Sequence, residues 1–298
     1  MSNEYTFLTA HVQSKGALRS IAQIDMLKDA GSTASTLLKY VQGWFAHELP
    51  WHATRIGYTT RPEPTVLATG PDGIVSIGTQ SGSSEEQIDD SLEGPARRGP
   101  IRDLQLVAGV PYVCGMGRQV YRREGSDHWT RQDAGTVLPL GKIQLCGFNS
   151  ITGLDEEHLL AVGFNGEIWR RDHGQWRIDE SPTNLVLHKV LMIDAELAFA
   201  SGQLGTLLRN DGSGWKTLDL ALPEEDLWDL AWFDQALYIA CDSGLFRLDD
   251  DRLTLVDLGR PGRVSTRHLH ANDGVLMSCG PKHVLWTDDG ERWHDITP

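Results

Sequence analysis

Histidines and cysteines are the side chains in this sequence best suited to metal chemistry. His268 and His270 alternate along a predicted strand, so both lie on one face of it. No third ligand follows at a suitable spacing. The cysteines form no Cys-x-x-Cys pair and have no histidine at zinc-ligand spacing. They are Cys114, Cys146, Cys241 and Cys279. We expect no metal and no cofactor, and we interpret the cysteines as small buried residues.

No catalytic motif is recognisable along the chain. The sequence lacks Gly-x-Ser-x-Gly, His-Glu-x-x-His, a phosphate-binding loop and a Gly-x-Gly-x-x-Gly that follows a strand. Acyl transfer, zinc hydrolysis and dinucleotide chemistry each need one of these arrangements. We therefore predict a protein that is not an enzyme.

The charge balance is acidic, with 27 Lys and Arg against 41 Asp and Glu and a formal net charge of −14. Proteins that bind nucleic acid or anionic membranes carry basic surfaces, so we expect neither as a partner. No apolar run approaches the roughly 20 residues of a membrane-spanning helix. The N-terminus has no charged-then-apolar signal peptide. These features predict a cytoplasmic protein.

The sequence contains a repeat of about 40 residues. The strands and turns of this repeat must position any functional site. Each unit has an apolar pair, polar turn residues and then a tryptophan, as in GEIWRRDHGQW (166–176) and GTLLRNDGSGW (205–215). The second apolar residue is Leu38, Val75, Tyr121, Trp169, Leu208, Phe246 and Trp286 in successive units. The following tryptophan is Trp44, Trp129, Trp176, Trp215 or Trp293, with Leu253 in the sixth unit and none in the second.

Each repeat is long enough for four short strands. A strand that ends in small residues precedes most apolar pairs, as in LLAVG (159–163) and VLMSCG (275–280). Four strands separated by Gly/Asp turns are typical of a β-propeller blade. We predict an all-β single domain over 1–298 with seven four-stranded blades. In the fourth blade the strands are expected near 142–149, 158–163, 166–171 and 175–180.

The first blade has two interpretations. LRSIAQID (18–25) parallels IRDLQLVA (101–108), which predicts a first strand there. However, the apolar residues between Leu37 and Phe45 also fit an amphipathic helix. The alternative is therefore six blades with an N-terminal helical appendage. Residues 1–17 remain as an extension, or as a closing strand in which Tyr5–Val12 joins the outer edge of the last blade.

The repeats resemble the BNR/Asp-box propellers, in the branch with photosystem II assembly factor-like and sialidase-like repeats. TDDGERW (287–293) looks like a shortened Asp box, and DHGQW (172–176) is similar to its core. The resemblance covers roughly residues 18–298. It implies that Asp289 and Gly290 form a turn and that Trp293 packs between blades. It implies little about function.

Basic residues recur about 19 positions before the reference residue of a repeat, where the first strand of a blade should begin. They are Arg19, Arg55, Arg102, Lys142, Lys189 and Arg267, with Trp228 in the sixth repeat. Such a column predicts a basic mouth of the central channel that binds an anionic group. Solvated charges at strand ends are the alternative.

Acidic residues cluster in turns that are predicted to lie on the opposite face. They are Asp155, Glu156 and Glu157 between two strands of the fourth blade, and Asp249, Asp250 and Asp251 in the sixth. Glu85 and Glu86 are also assigned to a turn or its extension, between the third and fourth strands of the second blade. Solvated turns are the simplest interpretation. The functional interpretation is a surface for a basic partner.

A rigid propeller with no catalytic residues favours binding of another protein. We predict an immunity-type protein that blocks a partner toxin, or an assembly factor that acts on a client, and a monomer when free. The alternatives are a ligand-sensing propeller and a sialidase-like glycoside hydrolase. The hydrolase would need an arginine cluster, carboxylates and a tyrosine nucleophile. Only Tyr58, near Arg55, offers a start for such a site.

Overall fold

The computed structural model describes residues 4–140 and 146–298. Over these residues the chain forms seven four-stranded sheets, each built from strands that are consecutive in sequence. The protein is therefore an all-β, seven-bladed β-propeller, which confirms the predicted fold and blade number. No helix in the described ranges is long and apolar enough to cross a membrane.

The strands of each blade are hydrogen-bonded in chain order, from the first to the fourth. Blade 1 comprises β1 (Tyr5–Ser14), β2 (Ala17–Ile24), β3 (Ser35–Tyr40) and β4 (Trp44–Leu49). Blade 2 comprises β5 (Arg55–Thr59), β6 (Thr65–Thr69), β7 (Ile74–Gly78) and β8 (Ser83–Gln87). Blade 3 comprises β9 (Ile101–Val107), β10 (Val110–Gly115), β11 (Val120–Gly125) and β12 (His128–Arg131). Blade 4 comprises β13 (Phe148–Gly153), β14 (Leu159–Gly163), β15 (Ile168–Asp172) and β16 (Gln175–Asp179).

The remaining blades follow the same plan. Blade 5 comprises β17 (Leu187–Met192), β18 (Ala198–Gly202), β19 (Leu207–Asn210) and β20 (Trp215–Thr217). Blade 6 comprises β21 (Leu227–Phe233), β22 (Ala236–Cys241), β23 (Gly244–Asp249) and β24 (Arg252–Leu255). Blade 7 comprises β25 (His268–Asn272), β26 (Val275–Gly280), β27 (His283–Thr287) and β28 (His294–Asp295). Two short helices, α1 (Asp25–Asp29) and α2 (Pro95–Arg98), and a 3-10 turn (Phe164–Gly166) lie in connections.

The repeat alignment predicted the third strands correctly. Every reference residue, from Leu38 in β3 to Trp286 in β27, lies in the third strand of its blade. The stretch with helical spacing forms β3 and β4 instead, so the six-blade alternative is wrong.

Two first strands differ from the prediction. In blade 1 the first strand is β1, which pairs with β2 from Tyr5↔Ile24 onward. Residues 18–25 therefore belong mainly to the second strand, and Tyr5–Val12 is not an added edge of blade 7. In blade 4 the described first strand is Phe148–Gly153, and residues 142–145 of the predicted 142–149 lie outside the described residues. The strand ends later than predicted, because only a five-residue hairpin connects it to Leu159.

Small residues end the second strands because the segment that leads into the first strand of the same blade passes against them. A Cβ atom at Gly163 would collide with the carbonyl oxygen of Gly147, and one at Gly202 would collide with that of Val186. Strands β14, β18, β22 and β26 are buried at every residue. The four cysteines are buried and form no disulfide within the described residues, and three of them lie in second strands, as expected for packing residues.

Contacts divide the chain into two compact units. The first unit, Met1–Ile56 with Leu220–Pro298, contains blades 1, 6 and 7. Within it, the Phe7 N–H donates to the Pro281 carbonyl (3.0 Å), and the Trp44 indole N–H donates to the Ile296 carbonyl (2.6 Å). The first and last blades are thus joined by contacts between blades, with no shared strand.

The second unit, Gly57–Asp219, contains blades 3, 4 and 5 and most of blade 2. Its repeat tryptophans each donate a hydrogen bond to the end of the preceding blade. Trp129 Nε1 donates to Glu86 (3.0 Å), Trp176 Nε1 to the Gln132 carbonyl (2.7 Å) and Trp215 Nε1 to Asp179 (3.1 Å). The tryptophan column is structural, as predicted.

Candidate functional site

Four residues of the predicted basic column lie at the start of first strands. A β-bulge recurs there and contains two of them. The pairing register skips Arg102 in β9 and Trp228 in β21, so each occupies a bulge. Arg55 is the first residue of β5, and Arg267 immediately precedes β25. These four positions agree with the predicted placement.

Three other members of the column differ from the prediction. Arg19 lies in the second strand of blade 1, paired with His11, because β1 precedes it. In blade 5 the bulge residue is His188, so Lys189 lies one position further along β17. Lys142 lies outside the described residues. The column was built by counting a fixed number of residues back from each reference residue. Such a count cannot detect the bulge at His188, nor that β1 is the first strand of blade 1.

Arg267 and Trp228 form a cluster with Asp242 in the first unit. The Arg267 guanidinium lies 5.2 Å from the Trp228 ring centroid and donates from Nε to Asp242 (3.0 Å). The Trp228 indole N–H donates to the same carboxylate (3.3 Å), and so does the Ser265 hydroxyl (2.6 Å). Partial burial opposes ionisation, but these hydrogen bonds outweigh it and lower the pKa of Asp242. The anion that Arg267 binds is therefore Asp242 of the same chain.

The sequence did not lead us to predict a role for the buried aspartates beside the bulges. Asp103 is 3% exposed and accepts hydrogen bonds from the Ser150 hydroxyl (2.9 Å) and the Ile151 N–H (3.2 Å) of the next blade. Asp229 likewise accepts from the Leu269 N–H (3.0 Å). The repeated Arg-Asp-Leu and Trp-Asp-Leu around them was an available signal. They hold inner strands of neighbouring blades together.

The two predicted acidic clusters lie in hairpin connections, as expected. Asp155 begins the turn between β13 and β14 and accepts from the N–H groups of Glu157 and His158, both at 2.9 Å. A hydrogen bond from His158 is the main cause of its lowered pKa. Glu156 pairs with Arg122 (3.1 Å). Asp249 ends β23, and Asp250 and Asp251 form the turn before β24. All three are exposed, and Asp249 pairs with Arg247 (3.2 Å).

Glu85 and Glu86 contradict the prediction of a solvated turn, because both lie in β8. Glu86 is 5% exposed and accepts two hydrogen bonds from Arg123, at 2.9 and 2.6 Å, and one from the Asp127 N–H. Burial opposes its ionisation, yet these donors lower the pKa of the Glu86 carboxyl. It connects blades 2 and 3.

His268 and His270 contact other parts of the first unit. The His270 ring lies 4.0 Å from the His11 ring, and its Nδ1 accepts the Val12 N–H (3.1 Å). His268 Nδ1 lies 3.7 Å from Asp229. No group of three or more His, Cys, Asp or Glu side chains in 4–140 and 146–298 could hold a metal ion.

Comparison with solved structures identifies the class of fold. The WD40 β-propeller domain of Doa1 is similar with a TM-score of 0.72, over 94% of this chain and 91% of that one. The sequences are only 9% identical, so this likeness shows the propeller fold alone. No protein-family model matches the chain.

A curated relative identifies the family. The chain is 37% identical over 248 residues to the immune protein Tsi7 of Pseudomonas aeruginosa. The match covers 83% of this chain and 81% of that protein. The chain belongs to the family of Tsi7.

Proposed function

We propose that this protein is a cytoplasmic immunity protein that binds a toxin and blocks its action. Membership of the family of an immune protein carries this proposal. A propeller suits the role because its blades hold the connecting loops on a rigid scaffold. Neutralisation by binding requires no catalytic residues.

The proposed function does not involve catalysis. Tyr58 and Arg55 were the only suggested start of a sialidase-like site, and both lie on β5. Positions three residues apart on a strand point to opposite faces, so these two side chains do not converge. Assay of a glycoside panel should therefore show no turnover. Turnover lost in Tyr58→Phe would contradict the proposal.

The surface charge of the second unit favours a basic partner. In that unit the hairpins between first and second strands, and between third and fourth strands, carry many more acids than bases. The acids are Glu63, Asp127, Asp155, Glu156, Glu157, Asp194, Glu196 and Asp211, and the base is Arg61. Such a surface accelerates encounter with a positively charged protein and repels nucleic acid.

Coexpression with candidate toxins from the genome of the same host tests this function. A bacterial host that expresses the toxin should grow only when the propeller is also present, and the two proteins should co-elute as one complex. The WD40 domain of Doa1, expressed in the same way, is the fold-matched control and should give no protection. Continued toxicity in the presence of folded propeller would contradict the proposal.

A further inference from the structure

Two neighbouring grooves of the second unit are built from matching positions. One lies between blades 3 and 4, and the other between blades 4 and 5. Strand register and turn geometry match their residues one to one. The pairs are Arg122 with Arg170, Gln132 with Asp179, Glu156 with Ala195, Arg171 with Asn210, and Trp176 with Trp215.

The groove between blades 3 and 4, here the bridged groove, is spanned by two arginines of the chain. Arg122 on blade 3 reaches Glu156 on the hairpin of blade 4 (3.1 Å). Arg171 on blade 4 donates from Nη1 to the Glu156 carbonyl (2.7 Å) and from Nη2 to Gln132 Oε1 (3.1 Å). A guanidinium thus joins a hairpin carbonyl to a side-chain oxygen of the preceding blade.

The groove between blades 4 and 5, here the open groove, lacks both bridges. Ala195 has no carboxylate for Arg170, which turns back to Asp179 on its own blade (3.2 Å). Asn210 is too short to occupy the place of Arg171. The result is a cavity of about 680 Å³, lined by these residues together with Asp194 and Glu196.

The open groove keeps the acceptors that hold a guanidinium in the bridged groove. The Ala195 carbonyl corresponds to that of Glu156, and the Asp179 carboxylate replaces the Gln132 amide oxygen. Asn210 is 6% exposed and lines the cavity; its Oδ1 accepts the Gly212 N–H (2.9 Å). Its Nδ2 donates no hydrogen bond to any described residue, so it is available to a carbonyl of a bound chain.

We infer that the open groove binds an arginine side chain of the toxin, in the place that Arg171 occupies in the bridged groove. This inference rests on the proposed function. An arginine satisfies two separated acceptors with one planar group, whereas a lysine ammonium does so less well. Four acids line the cavity against one arginine. The Asn210 amide completes the site by donating to the backbone of the same toxin segment.

Binding of N-acetyl-arginine amide tests the site without the toxin. Its guanidinium competes with Trp215 Nε1–H for Asp179, so the Trp215 indole N–H resonance should shift saturably. The neutral isostere N-acetyl-citrulline amide should produce no shift. Asn210→Arg places the chain's own guanidinium in the groove and should abolish the response. An equal response to both amides, or a response that survives in Asn210→Arg, would overturn the inference.

Affinity for the toxin tests the biological role. Asn210→Arg should weaken toxin binding at least about tenfold. Ala195→Arg adds positive charge at an exposed position of the rim, and it should weaken binding even if Asn210→Arg fails to fold. Arg171→Asn alters the bridged groove and is the matched control with unchanged affinity. Full affinity in both rim and groove variants would overturn the inference and leave the proposed function intact. No binding by the wild type would instead contradict the proposed function.

Discussion

The bridged and open grooves show how one structural framework gives two surfaces. Trp176 and Trp215 occupy matching positions, are 8% and 7% exposed, and each donates to the preceding blade. The differences include Glu156 and Arg171, whose places are taken by Ala195 and Asn210. The loss of these two bridging residues accompanies the change from a bridged inter-blade contact to a cavity.

The comparison distinguishes the residues that stabilise the blades from the residues that can differ between blades. Buried tryptophans and backbone hydrogen bonds recur in both grooves, whereas the half-exposed charged groups differ. Exposed ion pairs contribute little to stability, so their loss is tolerated. A propeller can therefore gain a recognition groove without losing its framework.

Truncation of either groove tryptophan should have the largest effect. Trp176→Ala and Trp215→Ala each remove a buried aromatic ring, which should cost about 3–5 kcal/mol of unfolding free energy. Urea titration with circular dichroism measures both. Similar losses are expected because the two residues fill equivalent places. A negligible loss in one of them would break the structural equivalence of the grooves.

Acid should weaken the first unit before it affects either groove. Burial lowers the pKa of His11, His52 and His283, the last to about 4. Each of these residues stays neutral in the folded protein to a lower pH than in the unfolded chain, which binds protons below about pH 6.5. Stability should therefore fall as the pH drops below 6.5, by up to about 1.4 kcal/mol per pH unit for each histidine, and for His283 the fall should continue to about pH 4.

Hydrogen exchange at pH 7.5 and pH 5 locates this loss. Faster exchange should begin in β1, β2 and β26, near His11 and His283, while the segments 122–132 and 209–215 keep their protection. Loss of protection in the groove segments first would contradict the assignment of acid sensitivity to the first unit.

Opening the bridged groove should have an intermediate effect. Arg171→Asn removes two hydrogen bonds of a guanidinium and should cost about 1–2 kcal/mol, as measured by urea titration. The double variant Arg171→Asn, Glu156→Ala reproduces the open groove at these two positions. A variant as stable as the wild type would show that Arg171 does not bridge the blades.

Loss of the exposed carboxylate alone should have the smallest effect. Glu156 is 56% exposed at its side chain, so Glu156→Gln should cost less than about 1 kcal/mol. The cost should shrink further in high salt, because screening weakens exposed pairs. A loss of several kcal/mol, independent of salt, would show that the Arg122 bridge belongs to the buried framework.

The sequence was informative about the fold because each blade is one repeated unit. Third strands were located through an apolar pair and a tryptophan at fixed spacing, and these are buried or half-buried residues that blade packing demands. Blade 1 was misjudged because residues 18–25 and 101–108 share a strand pattern although one is a second strand and the other a first. Alternation shows that a strand exists, but not its position in the sheet.

The grooves were beyond prediction for a different reason. Arg122 and Arg170 follow the same pattern along the chain, yet one spans a groove and the other turns back. The partner of each arginine depends on whether the next blade places Glu156 or Ala195 beside it. Prediction of that neighbour requires knowledge of how residues distant in sequence are brought together. The acidic hairpin at Asp155 was predicted from composition and turn residues, but its bond to Arg122 was not.

Hydrogen exchange of the protein with and without bound toxin tests the central claim most directly, because it compares both grooves in one unaltered protein. Complex formation should protect the open-groove segments 179–182, 192–198 and 209–215. The matching segments of the bridged groove, 153–159 and 128–133, should exchange at the same rates in both states. Protection of the bridged groove instead, or of blades 1, 6 and 7 alone, would contradict the assignment of toxin recognition to the open groove.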